Sequence, residues 1–298
     1  MLTNKLLQFK KIFFMAVVLM AIVSCKKIFP SENVPAYIHI SNISLRPDMR
    51  LDTNKNEVTL SNKITDSWVY VDNQAVGAYQ NPCTFPVITT PGRHEIKIGS
   101  GIKLDGIAAT RVIYNFYTLF DTVVTLNPTT ITTINPWTIY TSYAKFVWTE
   151  NFESAGISLV ASGLQTNSDT TIQTTNSSTP ANVFEGAHSG AAYLDANHTY
   201  FECRSANSFN LPIGGSPVFL ELNYKCNNVF NVGIYDYNYN QMYSLSINPS
   251  ATWNKIYVNL TNQVSGGGTP PFIIFINMTK DASVAYPQLF LDNIELID

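Results

Sequence analysis

Short alternating segments closed by turn residues constrain the fold of this 298-residue chain more than any other feature. In the segment SWVYVD that ends at Asp72, Val69 and Val71 alternate with polar or aromatic residues, as in a strand with one buried face. Similar segments recur between Gly, Pro, Asn and Asp, and no convincing amphipathic helix separates them. The pattern predicts an all-β fold built from β-sandwiches.

Composition narrows the class of protein further. Charged residues make up 13% of the chain, against about a quarter in a typical globular protein, while aromatic residues reach 12% and argue against disorder. The formal charge of −3 excludes the basic surface that nucleic-acid binding requires, so we expect no nucleic-acid partner.

The N-terminal segment carries a targeting signal. Lys5, Lys10 and Lys11 form a basic region, and the apolar run IFFMAVVLMAIV follows at residues 12–23. Charge and length match a secretory signal, so we expect residues 1–24 to be a signal helix that is removed on maturation. Removal takes away three lysines and no acid, which leaves 15 basic and 21 acidic residues and a net charge of −6.

The end of this segment, IVSC at residues 22–25, resembles the lipobox of bacterial lipoproteins, in which signal peptidase II cuts before the cysteine. The resemblance implies a lipid on Cys25, a lipidated tether over residues 25–36 and anchoring to the outer membrane, because Lys26 is not a retention signal for the inner membrane. Both orientations, toward the periplasm and on the cell surface, are consistent with this resemblance. The alternatives are a plain anchor helix and an ordinary signal beside an unrelated cysteine.

Three cysteines remain after lipidation, Cys83, Cys203 and Cys226. An oxidising compartment permits a disulfide. However, a simple hairpin across residues 206–217 would place Cys203 opposite residue 219 or 220 and not opposite Cys226. Because disulfide geometry is narrow, we expect Cys203 and Cys226 to be two buried thiols.

Charge divides the mature chain near residue 140. Residues 25–140 carry 10 basic and 9 acidic residues, and residues 141–298 carry 5 and 12. This asymmetry predicts two β domains, at residues 37–140 and 141–298.

The first domain contains a turn at Asp72, then Gly77, and then a second turn at Pro91 and Gly92 before the alternating strand that starts at His94. This order resembles PEGA-type modules, which are small transthyretin-like β-sandwiches, usually non-enzymatic and associated with cell envelopes. Asn replaces their usual Gly at position 73, which a type I′ turn permits.

The second domain contains NFE at residues 151–153, EGAHSG at 185–190, WNK at 253–255 and DNIEL at 292–296. This order resembles jelly-roll carbohydrate-binding modules of the galactose-binding-like type. The resemblance implies a β jelly roll and a structural calcium ion held by Glu153 and Asp292. Calcium takes six to eight oxygens, so carbonyls near residues 186–190 would have to contribute. The alternative is two carboxylates that cap turns.

Candidate ligand-binding residues follow from strand alternation. Three predicted strands place polar or aromatic side chains on the face opposite their apolar residues. If these faces join one concave sheet, they form a trough suited to sugar hydroxyls and to the apolar faces of sugar rings. The alternative is an ordinary solvated sheet face. The six candidates are Tyr200, Arg204, Glu221, Asn223, Lys225 and Tyr235.

No pattern in the chain matches GxSxG, HExxH, Walker A or the Rossmann glycines. We therefore expect a non-catalytic outer-membrane lipoprotein that binds a polysaccharide or other glycan through its jelly-roll domain. The alternative is a structural or adaptor subunit of an outer-membrane protein complex, because exposed aromatics also favour protein interfaces.

Overall fold

The computed structural model describes residues 34–48, 59–175 and 178–298. The predicted signal helix, Cys25 and nearly all of the tether lie outside these residues. Within them, no helix has the length and apolarity to cross a membrane. The fold is all-β, as the alternation predicts.

The strands of the first sandwich are β1 (Ala36–Ile40), β2 (Ser44–Leu45), β3 (Asp66–Val71), β4 (Gln74–Gln80), β5 (Cys83–Val87), β6 (Gly92–Lys103), β7 (Arg111–Ile113), β8 (Phe120–Leu126), β9 (Ile131–Ile134) and β10 (Trp137–Thr138). A three-stranded sheet of order β5-β1-β9 packs against a sheet of order β4-β3-β6, in which β7 and β8 also pair with β6. A parallel pair, β2 with β10, completes this sandwich. A 3₁₀ turn at Leu104–Gly106 follows β6.

The residues that resemble the PEGA pattern form a clamp between two turns. Asp72 and Asn73 have positive φ angles of 49° and 63°, which close the β3–β4 hairpin. One Asp72 oxygen lies 2.6 Å from Nδ1 of His94, and the other accepts the N–H of Glu95 at 3.0 Å. Nε2 of His94 lies 2.8 Å from the Thr90 carbonyl. The motif residues therefore tie the two turns together, while membership of the PEGA family stays a prediction.

The second sandwich is a jelly roll of two antiparallel sheets. Its strands are β11 (Phe146–Glu150), β12 (Leu159–Ala161), β13 (Gln173–Thr174), β14 (Gly190–Tyr193), β15 (Tyr200–Ser205), β16 (Phe219–Cys226), β17 (Phe230–Tyr235), β18 (Gln241–Ile247), β19 (Ser250–Asn259), β20 (Ile273–Thr279) and β21 (Gln288–Ile297). The six-stranded sheet has the order β13-β14-β21-β16-β19, with β11 also paired to β21, and the five-stranded sheet has the order β12-β15-β20-β17-β18. A 3₁₀ turn (Pro180–Asn182) and a short helix, α1 (Thr261–Gly266), complete it.

The core of the jelly roll lies between its two sheets. Leu220 and Leu222 from β16 meet Val232 and Ile234 from β17, and all four are fully buried. Each such side chain contributes about 1.5–3 kcal/mol relative to exposure. Cys203 and Cys226 are buried in the same core as free thiols, so the prediction of two buried thiols is confirmed.

A third core joins the two sandwiches. Tyr114 and Tyr140 from the first pack with Phe219, Tyr257 and Ile297 from the outer face of the six-stranded sheet. The segment at residues 101–117 completes β6 and forms β7, and its aromatic residues fill the junction, because Phe219, Tyr257 and Ile297 on the outer face of the six-stranded sheet must be covered.

Candidate functional site

The six predicted ligand residues do not share one sheet. Tyr200 and Arg204 lie on β15 and Tyr235 on β17, and both strands pair with β20. β16, which carries the other three residues, pairs with β19 and β21 in the opposite sheet. The expectation of one joint trough is therefore wrong, because the core of the jelly roll separates the two groups.

Glu221 faces the first sandwich and is fully buried. Its Oε1 accepts the hydroxyl of Tyr114 at 2.6 Å, and the Tyr140 hydroxyl lies 3.2 Å from both carboxylate oxygens. Lys255 places Nζ 2.8 Å from Glu221 and 3.5 Å from Glu295. Burial opposes the charge on Lys255, but the two carboxylates hold its pKa above the usual value. Glu221 thus belongs to a buried ion cluster at the junction and not to an open groove.

Asn223 and Lys225 also hold neighbouring segments of the chain. The Asn223 side chain donates to the Ser61 hydroxyl at 2.9 Å, and Asn223 is buried. Lys225 donates to the Ala181 carbonyl at 2.6 Å and to the Asn182 side chain at 3.0 Å. The observed contacts of both residues are therefore with the folded chain.

The outer face of the five-stranded sheet centres on a carboxylate that the sequence analysis did not select. Glu202 is buried and accepts the hydroxyls of Tyr200 and Tyr235, each at 2.5 Å. It also accepts the side-chain amides of Gln241 at 2.8 Å and Asn277 at 3.1 Å. Burial acts to raise the pKa of Glu202, but side-chain hydrogen bonds, among them those from Tyr200, Tyr235 and Asn277, outweigh it and lower the pKa. The carboxylate therefore stays ionised and fixes the tyrosines around it.

Tyr243 is the exposed aromatic residue of this face. Its hydroxyl accepts the Asn277 amide at 3.0 Å, and its ring packs edge-on against Phe275, with centroids 5.2 Å apart. A side chain on Gly233 would come within 2.6 Å of the Phe275 ring, so this position requires glycine. Arg204, opposite Phe275 in the register, is partly exposed and donates to the Ser205 carbonyl at 3.1 Å.

The hairpin between β17 and β18 carries two more exposed tyrosines, Tyr237 at 64% and Tyr239 at 51%. Asp236 fixes the hairpin tip: one oxygen accepts the N–H groups of Asn238 and Asn240, both at 2.8 Å, and the other accepts the Asn240 amide. Tyr239 has a φ angle of 61°, which is strained for a bulky residue and is maintained by these bonds.

A cleft of about 440 Å³ opens beside this tip. Ile273, next to Tyr235 in the register, connects the cleft to the outer face of the sheet. The lining residues are Ser208, Asp236, Tyr237, Asn238, Tyr239, Pro271 and Ile273. The volume lies within the usual range for small-ligand sites.

Glu153 and Asp292, the predicted calcium ligands, both accept hydrogen bonds from the turn at residues 186–190. Oε1 of Glu153 accepts the N–H groups of Ala187 and His188, each at 2.8 Å. Asp292 accepts the Ser189 hydroxyl at 2.5 Å, and burial raises its pKa to about 6. Among the described residues, no three His, Cys, Asp or Glu side chains are grouped to hold a metal. These contacts are with hydrogen-bond donors and do not form a calcium shell, so calcium binding stays a prediction.

Comparison with known proteins shows a resemblance in fold alone. No protein-family model and no curated protein matches the chain. Among solved structures, a family 61 carbohydrate-binding module in complex with β-1,4-galactotriose has 14% identity and a TM-score of 0.30, and the match covers 42% of this chain and 80% of that one. A xylan-binding domain of family 22 has 11% identity and a TM-score of 0.35, covering 51% and 93%. A variant of a family 29 module has 10% identity and a TM-score of 0.35, covering 52% and 92%. Similarities this low transfer no ligand to this chain.

Proposed function

We propose that this chain is a non-catalytic glycan-binding protein. Its binding surface, here called the tyrosine face, consists of Tyr200, Arg204 and Tyr243 on the five-stranded sheet together with Tyr237 and Tyr239 at the adjoining tip. The observation that carries the proposal is the cleft of about 440 Å³ beside a tip that exposes two tyrosines and is fixed by Asp236.

The chemistry of the tyrosine face suits sugars. Aromatic rings stack against the apolar faces of sugar rings, while guanidinium, amide and hydroxyl groups exchange hydrogen bonds with sugar hydroxyls. Because Glu202 already orders Tyr200, and Asp236 orders the tip, binding costs little side-chain entropy.

The proposal extends to location. By its resemblance to a lipobox, the segment ending at Cys25 supports a lipid anchor that holds the protein on the outer membrane. The net charge of −6 after maturation supports a partner other than nucleic acid.

The test measures binding of the full chain, purified in detergent, to a panel of polysaccharides. We expect saturable binding that weakens about 2- to 13-fold in Tyr237→Ala, since one aromatic stacking contact contributes about 0.5–1.5 kcal/mol. Tyr193→Ala is the matched control, because Tyr193 is also exposed but lies on β14 in the opposite sheet.

The result also separates this proposal from an adaptor role. Binding that Tyr237→Ala and Tyr193→Ala weaken equally would remove the tyrosine face as the site. A folded protein that binds no polysaccharide but co-purifies with a stoichiometric outer-membrane protein would refute glycan binding and establish the adaptor.

A further inference from the structure

Three exposed aliphatic side chains gather at the end of the first sandwich where the chain enters it. Val34 is 51% exposed, Ile88 is 70% exposed and Ile131 is 64% exposed. Large apolar side chains this exposed and this close together mark interaction surfaces in soluble proteins.

Strand register places these residues at one end of the three-stranded sheet. Ala36 pairs with Val87, so Ile88 lies beside the entry of β1, and Tyr37 pairs with Ile131. The turn before β9 is fastened to the same entry, because the Thr129 N–H donates to the Pro35 carbonyl at 2.9 Å.

A cleft of about 550 Å³ lies among these segments, with Pro91 and Pro128 in its wall beside Val34 and Ile88. We call Val34, Ile88, Pro91, Pro128 and Ile131 the apolar tip. The charged groups that line the cleft are Asp72 and His94, and they bind each other at 2.6 Å. Thr89 and Thr90 add hydroxyl groups, so the wall is of mixed polarity, and Val34, Ile88 and the two prolines form its apolar part.

The apolar tip and the junction with the jelly roll lie at opposite ends of one strand. β6 starts at Gly92, next to Pro91, and ends at Lys103, next to the buried junction residue Ile102. At roughly 3.3 Å per residue, its 12 residues hold the two ends about 35 Å apart.

The N-terminal part of the chain, residues 1–33, joins the described residues at Val34, which belongs to the apolar tip. Val34 follows Cys25 by nine residues, which span at most about 30 Å when extended, and the apolar run at residues 12–23 precedes Cys25. Anything that holds Cys25 at a membrane therefore holds Val34 near it.

We propose that the apolar tip rests in the headgroup layer of the membrane that anchors the chain, an inference that rests on the proposed lipid anchor. Val34, Ile88 and Ile131 bury their exposed area among the lipids, and Arg93, exposed beside the tip, meets lipid phosphate. The first sandwich then stands on the membrane and carries the jelly roll at its far end.

The experiment uses the full chain, isolated from membranes of a diderm bacterial host and reconstituted in phosphatidylcholine vesicles. The probe is the tryptophan fluorescence added by Ile88→Trp over the wild-type background, with and without brominated phosphatidylcholine. Leu119→Trp is the matched control, because Leu119 is 52% exposed and precedes β8 at the end that faces away from the tip. Both positions are exposed, so an unchanged unfolding midpoint checks that each variant is folded.

Flotation with the vesicles reports the anchor, and quenching reports the tip. We expect the chain to float and brominated lipid to quench the tryptophan at position 88 at least twofold more than the one at position 119. Flotation with equal quenching at the two positions would refute contact between the apolar tip and the membrane, while the lipid anchor would remain supported. Protein that stays at the bottom of the gradient would overturn the anchor and the tip together.

Discussion

Replacing Lys255 with methionine removes the positive charge that faces Glu221 and Glu295 at the junction. The three side chains are at most 2% exposed, and the charges lie 2.8 and 3.5 Å apart. At an effective dielectric constant of about 20, these two attractions amount to roughly 6 and 5 kcal/mol, and the cost of desolvating the ions offsets most of that gain. Loss of the lysine alone leaves two buried carboxylates, so we expect the free energy of unfolding to fall by about 3–5 kcal/mol.

The assay is thermal and urea unfolding of the full chain, followed by circular dichroism. A loss of that size lowers the midpoint by roughly 10–15 °C in a domain of this size. The matched control is Lys145→Met, because the Lys145 side chain is 77% exposed and its Nζ lies 3.7 Å from Asp298. Solvent screens this pair, and we expect it to contribute less than about 1 kcal/mol.

A second variant tests the stated cause. Lys255→Met combined with Glu221→Gln and Glu295→Gln removes all three charges and keeps acceptors for the Tyr114 and Tyr140 hydroxyls. We expect it to recover at least half of the lost stability, since no uncompensated charge stays buried. A loss below about 1 kcal/mol in Lys255→Met, or no recovery in the triple variant, would refute the account.

Three further predictions follow from the same contacts. Glu202→Gln removes a charged acceptor with four donors and should cost roughly 2–3 kcal/mol in urea unfolding, and a loss below about 0.5 kcal/mol would contradict this. The hydrogen bond that His94 donates to Asp72 raises the pKa of His94. Stability from this pair is therefore present below the ordinary histidine pKa and is lost as pH rises through the raised one. The unfolding midpoint should fall more between pH 5 and 8 in the wild type than in Asp72→Asn, and equal falls would disprove this account. A midpoint that rises with added calcium in the wild type and no longer does so in Glu153→Ala would establish the metal prediction, and an unchanged midpoint would refute it.

Sequence alternation predicts which face of a strand is buried, but it does not predict which strands share a sheet. Alternation correctly places Leu220 and Leu222 inside the core and Glu221 on the other face of β16. The opposite face of β16 proved to be a junction, because strand pairing, which no local pattern encodes, puts β16 beneath the first sandwich. The sequence nonetheless contains a signal for the buried ion cluster. Lys255 shares a face of β19 with Tyr257, and a lysine that becomes buried needs carboxylate partners.

Long-range hydrogen bonds explain what else the sequence analysis missed. Tyr235 was expected to face a ligand, yet it is buried with its hydroxyl on Glu202, 33 residues away in the chain. The tip is different, because Asp236 bonds to residues two and four positions later. Contacts between such near neighbours are local, whereas the cleft beside the tip also needs Pro271 and Ile273, which strand pairing brings there from far along the chain.

Covering one sheet of the jelly roll determines which sheet is left for recognition. The first sandwich packs on the six-stranded sheet through Phe219, Tyr257 and Ile297, so that face is unavailable to a large ligand. The tyrosine face belongs to the other sheet, across the core, and is directed away from the junction. The hydrogen bonds from Tyr114 and Tyr140 to Glu221 cross the junction and keep the two sandwiches in one relative orientation, since a rotation that broke them would leave buried polar groups without partners. A chain anchored through its first sandwich would therefore present the tyrosine face in a fixed direction.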